Sequence, residues 1–211
     1  MADRRLPLLN RLEQVFPTRP AGRTVVLGAR LTAPGPIAVG TRDLRPLEAG
    51  SPIPLAGRVA VAQRPPRPTI EVMTWNTGES RDLRYYGTLT HAERQLYECV
   101  REIAVDSVEI ELSHSPCSAC ADILVSWLSG INAGVPAAQG PSIGMLNGRK
   151  VVRPATPGRI AARLAWAKLY DSPPQATTWA ALDALHAAGW QLAAPRDALP
   201  PGEGLAPVAL L

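Results

Sequence analysis

Two short stretches constrain this chain more than anything else in it: Thr90-His91-Ala92-Glu93 and Ser115-Pro116-Cys117-Ser118-Ala119-Cys120. Together they offer one imidazole, two thiols and a spare carboxylate, the parts of a metal-assisted hydrolytic site. A Zn2+ held by one His and two Cys keeps a fourth position for water, and the ion lowers the pKa of that water toward neutrality. On this reading His91, Cys117 and Cys120 are the metal ligands. Glu93 is left to move protons. The fold must then bring residue 91 to residues 117 and 120.

The same residues admit other roles. Thr90-x-x-Glu93 is a capping box, in which Glu93 only starts a helix. Cys117-x-x-Cys120 is also the spacing of a redox pair or of half a structural zinc site. A structural site wants four protein ligands, and the only further cysteine is Cys99.

His-x-Glu followed by Pro-Cys-x-x-Cys, in this order, resembles the zinc-dependent cytidine deaminase superfamily. A bacterial-style composition brings the chain near toxin-type deaminases as well, and three further stretches are similar to the superfamily's AID/APOBEC-like polynucleotide cytosine deaminases. These are Tyr85-Tyr86-Gly87 before the first motif, the Ser115-Pro116-Cys117 form of the second, and Ala167-Lys168-Leu169-Tyr170-Asp171 followed by Leu185 to Leu192. The resemblance covers roughly 69–194. It implies a three-layer α-β-α fold on an about five-stranded mixed sheet with parallel later strands. It also implies Zn2+ on His91, Cys117 and Cys120, with Glu93 as proton shuttle. Backbone at Ala92 and Pro116, beside Ser115, would hold the base edge. Tyr170 would stack on the extruded base and Asp171 would read the nucleotide on its 5′ side. From the residues alone, Trp75, Asn76, Arg81, Arg84 and Tyr85 either track the phosphates and bases of a nucleic-acid strand or are ordinary hairpin surface. His114 stands where the family usually has Trp, which makes that wall of the pocket polar.

Composition agrees with a packed α/β domain: 211 residues, 46% of them hydrophobic. Three cysteines do not make a disulfide scaffold. The formal charge is +4, and the basic side chains are almost all Arg, with Lys150 and Lys168 the lysines. Arginine suits phosphate and base stacking, so this lends slight weight to a nucleic-acid partner. No apolar run is long enough to span a membrane, and no signal peptide is visible at Met1.

Along the chain, Leu6–Phe16 is predicted as a helix. Thr24–Leu31, Ile37–Val39 and Val59–Ala62 are predicted as short strands of an N-terminal β-rich extension, 1–68, of unknown role. The deaminase domain is expected over 69–194. Thr69–Trp75 and Arg84–Leu89 should form a hairpin, followed by a helix from His91 to about Ala104. Ser107–Ser113 reads as a strand whose acidic face, Glu109 and Glu111, calls for solvent or arginines. A helix should run from Cys117 to about Gly130. Residues 130–158 show no periodicity and read as a long loop. Leu164–Leu169 is taken as a strand, Thr177 or Thr178 to Ala188 as a helix, and Trp190–Ala193 as a last strand. An irregular tail, 195–211, should close the chain.

The expected activity is hydrolytic deamination of cytosine to uracil in single-stranded DNA. RNA, duplex DNA and free cytidine are alternative substrates, and a non-catalytic zinc or nucleic-acid-binding module is the alternative of another class. A toxin would act in a target cell's cytoplasm and be matched by an immunity protein; otherwise the setting is cytoplasmic. The oligomeric state is not legible.

Overall fold

Strand β1, Val26–Thr32, is the pivot of the sheet in a computed structural model of the chain. The structure describes residues 6–15, 25–34, 57–62, 69–76, 91–101, 103–135, 142–146, 149–153, 159–170, 176–198 and 208–210. Helix α1 is Pro7–Val15, followed by β1, β2 (Gly57–Ala62), β3 (Thr69–Trp75), α2 (Ala92–Val100) and β4 (Ser107–Leu112). Then come α3 (Ser118–Ala133), β5 (Ser142–Leu146), β6 (Arg149–Arg153), β7 (Ala161–Trp166), α4 (Ala176–Ala188), β8 (Gln191–Ala194) and β9 (Val208–Leu210). Seven strands form one sheet in the order β2-β3-β1-β4-β7-β8-β9, and β5 pairs with β6 separately. The β1, β2 and β3 pairings are antiparallel, including β1 to β4. β4, β7, β8 and β9 run parallel. Five central strands, β3-β1-β4-β7-β8, thus make the mixed sheet with parallel later members.

The described N-terminal residues, those of α1, β1 and β2, are built into the same sheet and its covering layer rather than standing apart as an extension. β1 lies between β3 and β4, with Leu27 opposite both Thr74 and Leu112. Both edges of β3 are taken, by β1 and β2. The expected second hairpin arm, Arg84–Leu89, lies outside the described residues, as does Ile37–Val39. The 130–158 passage holds the β5/β6 hairpin rather than loop alone. The tail contributes β9, so it is not wholly irregular.

Period-two alternation sorts the strands between two faces. Leu27, Ile70, Val72, Ile110, Leu112, Leu164 and Leu192 meet Leu96 and Val100 of α2, Leu124 and Leu128 of α3, and Leu182 and Leu185 of α4 in one core cluster. On the other face Val26, Met73, Ala165 and Ala193 meet Leu6, Leu8, Leu9 and Leu12 of α1. Pro7 opens α1, where a missing N–H costs nothing. Gly28 is required by the docking of this helix: a Cβ there would stand 3.0 Å from Leu12 Cδ1 and 3.2 Å from Leu9 Cα. Gly189 ends α4 with φ 108°, and Trp190 N–H reaches back to the Leu185 carbonyl at 3.1 Å.

The acidic face of β4 is indeed met by arginines. Glu71, Arg30, Glu109 and Arg163 occupy adjacent register positions on β3, β1, β4 and β7. They pair in sequence at 3.2, 3.3 and 3.1 Å, and Arg11 of α1 joins Glu71. Such half-exposed pairs each contribute at most about 1 kcal/mol. Their effect is to let charged positions sit on the part of this face beyond the apolar contacts of α1.

Candidate metal centre

The two motifs fold onto the starts of two helices. His91 is the N-cap residue of α2 and Cys117 that of α3; both backbones are extended there, and neither side chain caps its own helix. Each instead turns to the same point. The ligand atoms of His91, Cys117 and Cys120 all lie within 4.8 Å of one another. His91 Nδ1 is 3.2 Å from Cys120 Sγ and 3.5 Å from Cys117 Sγ. A tetrahedral centre with metal–ligand bonds of roughly 2.0–2.3 Å places its nitrogen and sulfur corners about 3.5 Å apart. The cluster therefore has both the spacing and the donor chemistry for a borderline-soft metal ion. Cys99 is not in it. Cys99 packs partly buried against the main core, and burial pushes its thiol up to about 12.

The electrostatics favour a thiolate. A hydrogen bond from Cys120, with others from His91 and the Cys120 backbone, brings Cys117 down to about 4. The two helix N-termini add positive potential at the same place. Cys120, as the donor to Cys117 and buried as well, has its own thiol pushed far up. His91 is raised, chiefly through its hydrogen bond to Cys117. A metal at this point would take over from these shared protons.

Glu93 is at the second position of α2, only 3% exposed. The helix begins at Ala92 with His91 as cap, so Glu93 is not the third-position partner of a capping box on Thr90. Burial pushes its carboxyl up to about 7, helped by the Cys117 charge and opposed by a hydrogen bond from its own backbone and by His91. A buried carboxyl beside the ligands, outside the metal-binding group and near neutrality in pKa, is suited to accept and return a proton.

The floor of the site is pinned by side chains. Ala92 N–H donates to Asn76 Oδ1 at 2.8 Å, Thr74 Oγ1 donates to the Ala92 carbonyl at 2.8 Å, and Gln95 Nε2 donates to the Trp75 carbonyl at 3.2 Å. The Ala92 amide, expected at the base edge, is thus engaged by Asn76. Asn76 Nδ2 has no partner among the described residues. Thr74 and Gln95 were not foreseen. Their signal was a polar residue at each next position of an otherwise apolar face.

Ser115 and Pro116 are buried. Ser115 N–H donates to the Lys168 carbonyl at 2.7 Å, and Ser115 Oγ accepts from Tyr170 N–H at 2.9 Å. This joins the Cys117 loop to the strand end that carries Tyr170, the exposed large hydrophobic residue of the described chain at 46%. His114 is half-buried with Nδ1 on Ser113 Oγ at 3.1 Å. Trp75 packs instead against the α1 cluster on the other sheet face. Tyr85 and Asp171 lie outside the described residues. No helix among the described residues is long and apolar enough to cross a membrane.

No protein-family model matches the chain, and no curated protein matches it either.

Proposed function

We propose that the chain is a zinc-dependent deaminase that converts cytosine to uracil in single-stranded DNA. The observation that carries this reading is the buried Glu93 carboxyl beside a His91–Cys117–Cys120 group, unligated and held near pKa 7. His91 Nδ1, Cys117 Sγ and Cys120 Sγ would hold zinc. When bound, the ion supplies a Lewis acid that makes water nucleophilic near neutral pH.

Glu93 takes the proton from the attacking water and delivers it to the ring nitrogen next to the reacting carbon. It then takes the second proton, from the hydroxyl now on that carbon, and gives it to the amino group, which leaves as ammonia while the carbonyl forms. A carboxyl with pKa close to working pH is available in both states, which is the condition for alternating as base and acid. Burial keeps bulk water away from that proton.

Asn76 holds the Ala92 amide with Oδ1, which fixes the start of α2 beside His91 and Glu93. Tyr170 offers an exposed ring for stacking, a sequence-tolerant way to hold an unpaired base. An aromatic at the rim and the basic composition support a polynucleotide over a free nucleoside. If the chain is a toxin, the partner that restrains it would be an immunity protein.

The test is a substrate panel. Purified protein loaded with zinc is incubated with single-stranded DNA, duplex DNA, RNA and free deoxycytidine, and uracil is scored in each. Conversion chiefly in single-stranded DNA is the expected result. Conversion of the monomer alone removes the polynucleotide reading, and conversion of none leaves a zinc or nucleic-acid-binding module.

A further inference from the structure

His114 and Lys168 are neighbours on the ends of two parallel strands. The last paired residues of β4 and β7 are Leu112 and Trp166. The ladder continues past them, with Ala167 N–H on the Leu112 carbonyl at 3.0 Å and Ser115 N–H on the Lys168 carbonyl at 2.7 Å. That register sets His114 beside Lys168, and the Lys168 charge acts on the His114 ring. Both belong to the segments that run on to Cys117 and to Tyr170. Ligands in sheets with parallel strands bind at the carboxyl ends of those strands.

Ser113 Oγ accepts Val26 N–H at 3.0 Å and keeps a hydroxyl hydrogen that it can give to His114 Nδ1, 3.1 Å away. In that tautomer the ring hydrogen is on Nε2, which has no partner among the described residues. Burial, with Lys168 adding to it, keeps the imidazole neutral. Lys168 is exposed and in no ion pair among the described residues. Two donors of different kinds, one neutral and one cationic, are thus left without an acceptor at the rim of the candidate centre.

We infer that His114 Nε2–H and Lys168 Nζ form an anion-reading pair that takes a backbone phosphate of the single-stranded substrate next to the target base. The inference rests on the reading of the chain as a polynucleotide deaminase and deepens it. It makes the phosphate link, rather than the base alone, a determinant of recognition. His114 then serves as a donor to the backbone.

The experiment is a fluorescence-anisotropy titration of a labelled single-stranded deoxyoligonucleotide with one cytosine. It uses the full chain loaded with zinc and is repeated over a range of salt. Lys168→Gln should weaken binding roughly 3- to 10-fold at low salt and reduce the slope of log K against log salt by about 0.7, the loss of one phosphate contact on a single strand. Lys168→Arg should restore both. His114→Phe should weaken binding with the slope unchanged, because its donor is neutral; a thermal melt checks that this variant is folded. A neutral methylphosphonate link beside the cytosine should cost the wild type more affinity than it costs Lys168→Gln. Affinity within twofold of wild type in both variants, with the slope unaltered, overturns the pair. If the wild type deaminates the oligonucleotide while binding is indifferent to both substitutions, the pair falls and the enzymatic reading stands. If binding responds as expected but no cytosine is ever converted, the anion site stands and the enzymatic reading falls.

Discussion

Leu9 N–H on α1 donates to Glu111 Oε2 on β4 at 2.8 Å, across 102 positions of sequence. A carboxylate on a central strand thus satisfies an orphan donor in the first turn of the N-terminal helix. Burial raises the Glu111 carboxyl, with Glu109 adding to it and the Leu9 hydrogen bond and Arg163 opposing. For a carboxyl raised in the folded state, its contribution to stability is full below the ordinary carboxylate pKa and is lost as pH rises through the shifted value. Glu111→Gln keeps an acceptor for Leu9 and removes the charge. It should flatten the fall in stability between acid and neutral pH, as read by urea denaturation over that range. Glu111→Leu leaves Leu9 N–H unpaired and should cost about 1–3 kcal/mol.

Gly28→Ala tests whether α1 is truly part of the domain. The added methyl meets Leu9 backbone at 3.2 Å, which cannot swing aside as a side chain can. Overpacking of this kind costs roughly 1–3 kcal/mol. Denaturation should show that loss, and wild-type stability in the variant would mean that α1 does not lie over β1.

Ser115→Ala removes the acceptor for Tyr170 N–H while leaving the metal ligands in place. We expect about 1 kcal/mol lower stability, unchanged zinc content, and a KM for oligonucleotide raised more than kcat is lowered. Equal effects on the oligonucleotide and on free deoxycytidine would deny Ser115 this positioning role.

Metal binding must displace protons. Cys117 is already a thiolate at neutral pH, whereas Cys120 keeps its proton and His91 is raised toward protonation. Zinc should therefore release about one to two protons per ion near neutrality and bind more weakly in acid. Calorimetry in two buffers of different ionisation enthalpy measures the number directly. Zero release would place the metal elsewhere.

Much of the site was legible because each motif stands immediately before an apolar run of helical period. His91 precedes Leu96 and Val100, and Cys117 precedes Leu124 and Leu128, so the two N-termini follow from local pattern. The alternation of Val108, Ile110 and Leu112 against Glu109 and Glu111 likewise gave both faces of β4. The place of β1 was not legible. Leu27 pairs with Leu112, far along the chain, and nothing in its own neighbourhood encodes that partner. The hairpin expected for Thr69–Trp75 rests on adjacency in sequence; its second arm lies outside the described residues, and the described neighbours of β3 are β1 and β2. For β5 and β6 a sequence signal was present: the dipeptide Asn147-Gly148, favoured in two-residue hairpin loops, stands between Leu146 and Arg149 in a Gly- and Pro-rich passage. The three residues of β9 are too few for any periodicity.

The most direct test pairs zinc content with turnover in wild type and Glu93→Gln. Zinc should be equimolar with protein in both. Wild type should convert cytosine in a single-stranded oligonucleotide, and the variant should be slower by at least about 100-fold, the usual share of a general acid–base group. A Glu93→Gln protein as active as wild type, or a wild type that takes up no zinc, would contradict the account.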